Sequence, residues 1–232
     1  MALDAGSAEV GRVLREVARL GPYFEIGIGD GGPACGPFPG EPARLGALTA
    51  DYAERLGTGE RRVAASLLFQ GLAARLWSPV VAAAARGIVP ELAGLRWCWA
   101  PGEAIALRVG APSGWRVDEA AEAAALIWPM VMDGLLKPLR DAMSTFVGLA
   151  DGLVWGNAAS ALVGGLNVGP PDTARRAVVL ELLAREPLTG AGEFGPGGYV
   201  RRSCCLYYRV PGGGMCGDCS LLKRDQSSRD VR

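Results

Sequence analysis

Hydrophobic positions recur at helical spacing early in the chain. Val10, Val13, Leu14 and Val17 form one face behind Ser7, which predicts a first helix capped by Ser7 and stopped by Gly21-Pro22. A short strand over residues 23–28 follows. Residues 29–42 are too rich in glycine and proline for a regular element, so they read as a loop leading to a helix that starts near Pro42. Thr58 caps a long helical segment over 61–86, with a kink at Pro79. Leu95, Trp97 and Trp99 then alternate with Arg96 and Cys98, Pro101-Gly102 turns the chain, and Ile105, Leu107 and Val109 alternate again. That pattern is a β-hairpin.

From 118 to 146 the pattern is helical, punctuated by Pro129 and Pro138, and Asp151 caps a further helix through Leu166. Pro170-Pro171 and Asp172 open one more helix, to about Arg185. Glycine and proline over 190–198 mark a boundary before a compact cysteine-rich end, and the polar stretch 223–232 reads as a disordered tail. The predicted fold is mainly α in an α+β sense. A helical domain over 1–198, with one or two small β-hairpins, precedes a cysteine-rich segment over 199–222.

Composition narrows the chemistry. The chain has 232 residues, half of them hydrophobic, enough for a sizeable core. Lys plus Arg and Asp plus Glu both number 24, which removes a basic surface as an argument for nucleic acid. There is no histidine, which excludes Ser-His and Cys-His catalysis, His-ligated zinc, Rieske clusters and His-bound haem together. Any metal sits on sulfur or oxygen. The opening MALDAGSAEV holds Asp4 and Glu9 and no apolar core, so it does not read as a secretory signal. Six cysteines in that context point to reduced thiols or metal ligands in the cytoplasm. The one stretch resembling a membrane span, 146–166, contains Asp151, Asn157 and several glycines, and reads as a close-packed soluble helix.

Four of the six cysteines, Cys204, Cys205, Cys216 and Cys219, fall in the segment RRSCCLYYRVPGGGMCGDCSL. The spacing is Cys-Cys, ten residues, Cys, two residues, Cys. A Cys-x-x-Cys pair lets one loop turn both sulfurs toward a metal, and Pro211-Gly212-Gly213-Gly214 supplies a tight return that brings the second pair back to the first. A structural zinc site, a pair of disulfides and an iron-sulfur cluster compete for these sulfurs. Disulfides suit an exported chain, and zinc usually takes two knuckles of spaced cysteines. Adjacent cysteines in extended chain point to opposite faces, so they suit an object larger than one ion.

The segment resembles the C-terminal [2Fe-2S] motif of ferric-siderophore reductases of the FhuF type. All four ligand positions match, so the resemblance implies Cys204, Cys205, Cys216 and Cys219 as cluster ligands, with Arg201, Tyr207, Tyr208 and Gly217 falling where the motif has them. Leu153-Val154-Trp155-Gly156-Asn157-Ala158-Ala159-Ser160-Ala161-Leu162 is similar to the Trp-Gly-Asn helix upstream of the cluster in such proteins. The motif covers under a tenth of the chain and is specific. What it implies is one-electron reduction of Fe3+ in imported ferric siderophores, of the hydroxamate type, releasing Fe2+ in the cytoplasm. A separate electron donor would supply the electrons, a ferredoxin or a flavin or nicotinamide reductase, with room for peripheral attachment to the inner membrane. Iron favours this route because Fe2+ is softer and more labile on oxygen donors than Fe3+. Around such a cluster, Arg201, Arg202 and Arg209 are expected to offset thiolate charge, and the amides of Gly212, Gly213 and Gly214 to donate to sulfur. A non-enzymatic [2Fe-2S] electron carrier or iron or redox sensor is the main rival, and a zinc-holding siderophore-binding module is a third reading.

Other signals carry less. Gly27-Ile28-Gly29-Asp30-Gly31-Gly32 matches a dinucleotide fingerprint but lacks the following helix, because Pro33, Pro37 and Pro39 forbid one. Cys35 and Cys98 read as isolated buried or idle thiols. Trp97 and Trp99 share a hairpin face and read as core, though Trp97, like Trp155, is a candidate wall for a siderophore pocket. Trp155 and Asn157 diverge by about 200° on a helix, so at most one faces a ligand.

Overall fold

The structure, a computed structural model, describes residues 3–222; the tail read at 223–232 lies outside them. In chain order, β1 (Leu3–Ala5) leads into α1 (Ser7–Ala18), then β2 (Ile26–Ile28), β3 (Cys35–Pro37), α2 (Pro42–Arg55) and α3 (Arg61–Ala84). Four short strands follow: β4 (Ile88–Pro90), β5 (Arg96–Cys98), β6 (Ala106–Val109) and β7 (Gly114–Arg116). Then come α4 (Ala120–Ile127), a π-helical stretch (Trp128–Leu136), α5 (Lys137–Ser144), α6 (Asp151–Gly164) and α7 (Thr173–Leu183). A last hairpin, β8 (Gly192–Gly195) and β9 (Gly198–Arg201), precedes the cysteines. Mainly helical with small sheets, this is the expected α+β class.

α3 is the axis. Leu76 to Ala84 are buried without a break, so the C-terminal part of this helix is enclosed on all sides and the others wrap it. It is also the stretch with the length and hydropathy of a membrane span, and 72% of that window is buried inside the fold. The stretch 146–166, read from sequence as a close-packed helix, is a connection followed by the largely buried α6. α1 buries Val10, Val13, Leu14 and Val17 as the periodicity predicts, but its N-cap is Gly6, with Ser7 already helical. Asp151 likewise caps nothing and instead pairs with Arg140 at 2.6 Å, whereas Asp172 does accept from the Arg175 amide at 2.9 Å. The prolines at 129 and 138 do not break the helix from α4 to α5. Proline lacks the amide for an i−4 bond, and a wider π turn runs through that stretch.

The sheets hold more than the sequence showed. The predicted hairpin is β5–β6, with Trp97 opposite Leu107, but β2 adds parallel to β6 and β3 adds antiparallel to β5. β1, β7 and β4 form a second sheet. Within the 29–42 loop, β3 sets Cys35 opposite Cys98 on β5, and the two form a disulfide. The reading of both as isolated thiols is corrected; 63 residues of chain separate them, and only the strand pairing brings them together. The glycine-rich run after β2 folds around Arg108, which donates to the Gly29 and Ile28 carbonyls, and no helix follows it.

Candidate metal centre

The hairpin β8–β9 spans 192–201 and delivers the cysteine segment onto α3 and α6. Strand alternation turns Arg201 inward and Arg202 out. The Arg201 amide donates to the Asp218 carbonyl at 3.0 Å, tying the start of the segment to its end. Between them the chain passes Cys204 and Cys205, takes a left-handed step at Leu206 (φ 70°), and runs through a 3-10 turn over Tyr207–Arg209. The return is tight at Gly213, where a Cβ would stand 2.7 Å from the Tyr207 carbonyl oxygen.

Two of the four sulfurs, those of Cys205 and Cys216, meet at this fold-back. The Sγ atoms of Cys205 and Cys216 are 3.6 Å apart, the Leu206 amide donates to the Cys204 Sγ at 3.4 Å, and the Cys219 Sγ lies 3.5 Å from the Met215 Sδ. Cys205 and Cys219 are buried, Cys204 and Cys216 half-buried, and none of the four is in a disulfide. Among the described residues no three Cys, Asp or Glu side chains close around a single ion-sized point. A tetrahedral zinc site requires four ligands within about 2.3 Å of one centre.

Electrostatics favour an anion here. Arg201, with no exposed side-chain surface, donates through Nε to the Asp218 Oδ2 at 3.1 Å and through Nη1 to the Asn157 Oδ1 at 2.7 Å. Asn157 on α6 donates from Nδ2 to the Ser66 carbonyl and Oγ, both at 2.9 Å, and Ser66 on α3 donates to the Cys205 carbonyl at 2.8 Å. One buried chain thus links both core helices to the cysteines. It leaves the Arg201 Nη2 and the Ser203 Oγ buried without partners. Buried donors of that kind cost about 1–3 kcal/mol each unless an acceptor comes to them, and a thiolate- and sulfide-bearing anion is such an acceptor. The hydrogen bond between Cys205 and Cys216 holds the Cys205 thiol down to about 6 and pushes that of Cys216 up. Burial raises Cys204. Burial also acts to raise Asp218, but the charge of Arg201 and hydrogen bonds from Ser160, Arg201 and Cys216 outweigh it and keep the carboxyl low.

A cavity of about 840 Å³ opens beside this centre, between α3, α6, the β8–β9 hairpin and the cysteine segment. Cys205 and Cys216 form part of its wall; Cys204 and Cys219 do not.

Residues 201–221 match the FhuF 2Fe-2S C-terminal domain. This end of the chain is an FhuF-type [2Fe-2S] domain. No curated protein and no solved structure matches the chain. The FhuF-type cysteines, with the unpartnered Arg201 Nη2 facing no other acceptor, fit a [2Fe-2S] cluster.

The outer residues named from sequence divide. Arg201 sits inside the site. Arg202 is exposed, with its amide on the Ala191 carbonyl. Arg209 is exposed and pairs with Glu60 at 2.9 Å, pinning the segment to the start of α3. The Gly213 amide donates to the Val210 carbonyl at 2.8 Å and is not free for sulfur; the amides that reach sulfurs are those of Leu206, on Cys204, and Tyr207, on Cys205. Trp97 is fully buried, stacked on Trp99 with ring centroids 6.4 Å apart and flanked by the Arg44 guanidinium. Trp155 sets its edge against Phe69. Neither tryptophan lines the cavity. Sequence reasoning missed Ser66 and Asp218. A buried-helix serine between Arg62 and Gln70 at four-residue spacing, and an acid inside Cys-x-x-Cys, were the available signals.

The Trp-Gly-Asn helix has a use for its glycine as well as its asparagine. A Cβ on Gly156 would stand 1.9 Å from the Ser203 Oγ and 3.2 Å from the Ser203 Cβ. Gly156→Val is therefore expected to lift the segment from α6 and destabilise the chain by about 1–3 kcal/mol, the usual overpacking cost. Iron retention on gel filtration should fall with it, while Gly152→Ala, where a Cβ meets nothing within 4 Å, should leave both unchanged.

Proposed function

We propose that this chain is a ferric-siderophore reductase. It takes single electrons from a separate ferredoxin or flavin- or nicotinamide-dependent reductase and reduces Fe3+ held by an imported chelate, of the hydroxamate type, in the cytoplasm. The observation that carries the reading is the FhuF-type domain over 201–221 with cysteines at 204, 205, 216 and 219. When bound, a [2Fe-2S] cluster supplies one-electron chemistry at a potential tuned by local charge, hydrogen bonds and exposure.

The chain's own residues do the rest. Cys204, Cys205, Cys216 and Cys219 would hold the cluster. Arg201 places a buried positive charge beside it and, through Asn157, Ser66 and Asp218, fixes both ends of the segment on the core helices. Balance is simple: the donor loses one electron, Fe3+ gains one, and the oxygen donors that release Fe2+ take up protons from solvent. With α3 buried inside the fold, any attachment to the inner membrane in this reading is peripheral.

Anaerobic protein reduced with dithionite, freed of excess reductant and mixed with a ferric trihydroxamate, is expected to lose its reduced visible spectrum as Fe2+ appears on a ferrous-specific chelator in equal amount. A cluster that stays reduced in the presence of ferric trihydroxamate, yet exchanges electrons with a ferredoxin, would contradict the reductase reading and leave an electron carrier.

A further inference from the structure

We propose that the 840 Å³ cavity beside Cys205 and Cys216 binds an intact, bulky metal chelate of low net charge, and that this is the face through which the metal centre meets its oxidant. The assignment deepens the reductase reading and rests on it. Four observations support it.

Two of the four cysteines line the cavity, so an occupant lies directly against ligands of the metal centre. The volume falls within the roughly 300–1,000 Å³ typical of ligand sites and is far more than a hydrated ion needs. Tyr23, Phe24, Tyr52, Phe194 and Tyr207 all contribute aromatic rings to the wall. Such surfaces suit the hydrocarbon backbone of a wrapped chelate rather than a bare cation. Charge is sparse and mixed. The lining holds one cation, Arg176, whose guanidinium lies 4.6 Å from the Phe194 ring, and one carboxylate, Asp218, which is already held by Arg201. A triply anionic complex would have to give up its hydration for a single cation.

Tyr199 adds a polar anchor. It lines the cavity, is only 9% exposed, and its hydroxyl is buried without a partner. Burial raises its ionisation to about 12, so the phenol remains a neutral donor to an oxygen of the occupant. Together the walls present the Tyr199 hydroxyl, one cation, one carboxylate already paired with Arg201, the neutral polar groups of Gln70, Ser160 and Asn167, and apolar and aromatic surface between them. A chelate carrying its own metal-bound oxygens and a greasy linker matches that set, and it brings its metal within reach of the Cys205 and Cys216 side of the domain.

Glycines in the wall allow the cavity to be plugged without disturbing the cysteines. Gly71 on α3 and Gly164 at the end of α6 both line it, and at neither would a Cβ meet anything within 4 Å. Binding of the gallium(III) complex of a linear trihydroxamate, which matches the ferric complex in size and charge but resists reduction, reads the site by titration calorimetry on cluster-loaded protein. Wild type and Gly71→Ala are expected to bind alike, and Gly71→Trp to bind more than about tenfold more weakly, with the iron-sulfur spectrum unchanged. Gly164→Phe plugs the cavity from α6 instead and should give the same loss if Gly71→Trp does not fold. Unaltered binding in a folded plugged variant would overturn the cavity assignment and leave the reductase reading intact. Equal binding of a triply anionic gallium tris-catecholate would overturn the low-charge assignment. A wild type that neither binds the gallium complex nor reduces its ferric counterpart would overturn the reductase reading and the cavity assignment together.

Discussion

Replacing Cys216 by serine is expected to abolish cluster retention and ferric-chelate reduction together while leaving the fold in place. Serine keeps the size of the residue and the backbone bond from the Cys219 amide to the Cys216 carbonyl, 3.1 Å in length. The tight return at Gly213 is likewise untouched. What is lost is the soft sulfur donor, and a hydroxyl is a far poorer partner for an iron-sulfide core. Removing outer-shell partners of a metal commonly costs about 10- to 100-fold in affinity, and loss of a direct ligand exceeds that. Iron and sulfide analysis with circular dichroism checks the outcome. Reductase activity that survives without visible iron-sulfur absorption would show that the cysteines are not the redox centre.

The second large effect is expected at Arg201. Arg201→Leu removes the cation from a buried cluster of polar groups, leaving the Asn157 carbonyl without its donor and the Asp218 carboxylate without its buried countercharge. Breaking a buried ion pair from one side costs about 3–5 kcal/mol, so chemical denaturation should show a loss of that order. The cluster that remains should have a lower midpoint potential, because a positive charge beside an anionic centre favours its reduced form. Arg201→Lys separates charge from geometry. Lysine keeps the positive charge but cannot reproduce the fork that reaches Asp218 and Asn157 at once. It should therefore recover more of the potential than of the stability. If both variants denature and titrate like wild type, Arg201 is not the clamp described here.

Much of this was legible in the chain. The i, i+3, i+4 pattern located α1, the alternation of Trp97 with Leu107 located β5–β6, and Asp172 marked the start of α7, because each is a local signal. Pairings between distant segments were not legible. Strands of three residues such as β3, inside a glycine- and proline-rich loop, carry too little alternation to be seen, and the Cys35–Cys98 disulfide depended on one of them. The centre divides the same way. Cysteine spacing is local and specific, so the four thiols stood out. The direction of each arginine depends on strand phase and on Glu60 across the fold, so Arg209 and Arg202 turned out to serve other contacts. The cavity draws Tyr23, Tyr52, Arg176 and Tyr207 from segments more than a hundred residues apart at the extremes, and no local pattern marks them as neighbours.

The most direct test of the central claim is anaerobic purification followed by iron, sulfide and zinc analysis, with visible and paramagnetic resonance spectra before and after dithionite. Two irons and two sulfides per chain, with a spin-half signal that appears on reduction and disappears in Cys216→Ser, are the predicted result. A colourless chain carrying one tightly bound zinc under the same handling would contradict it.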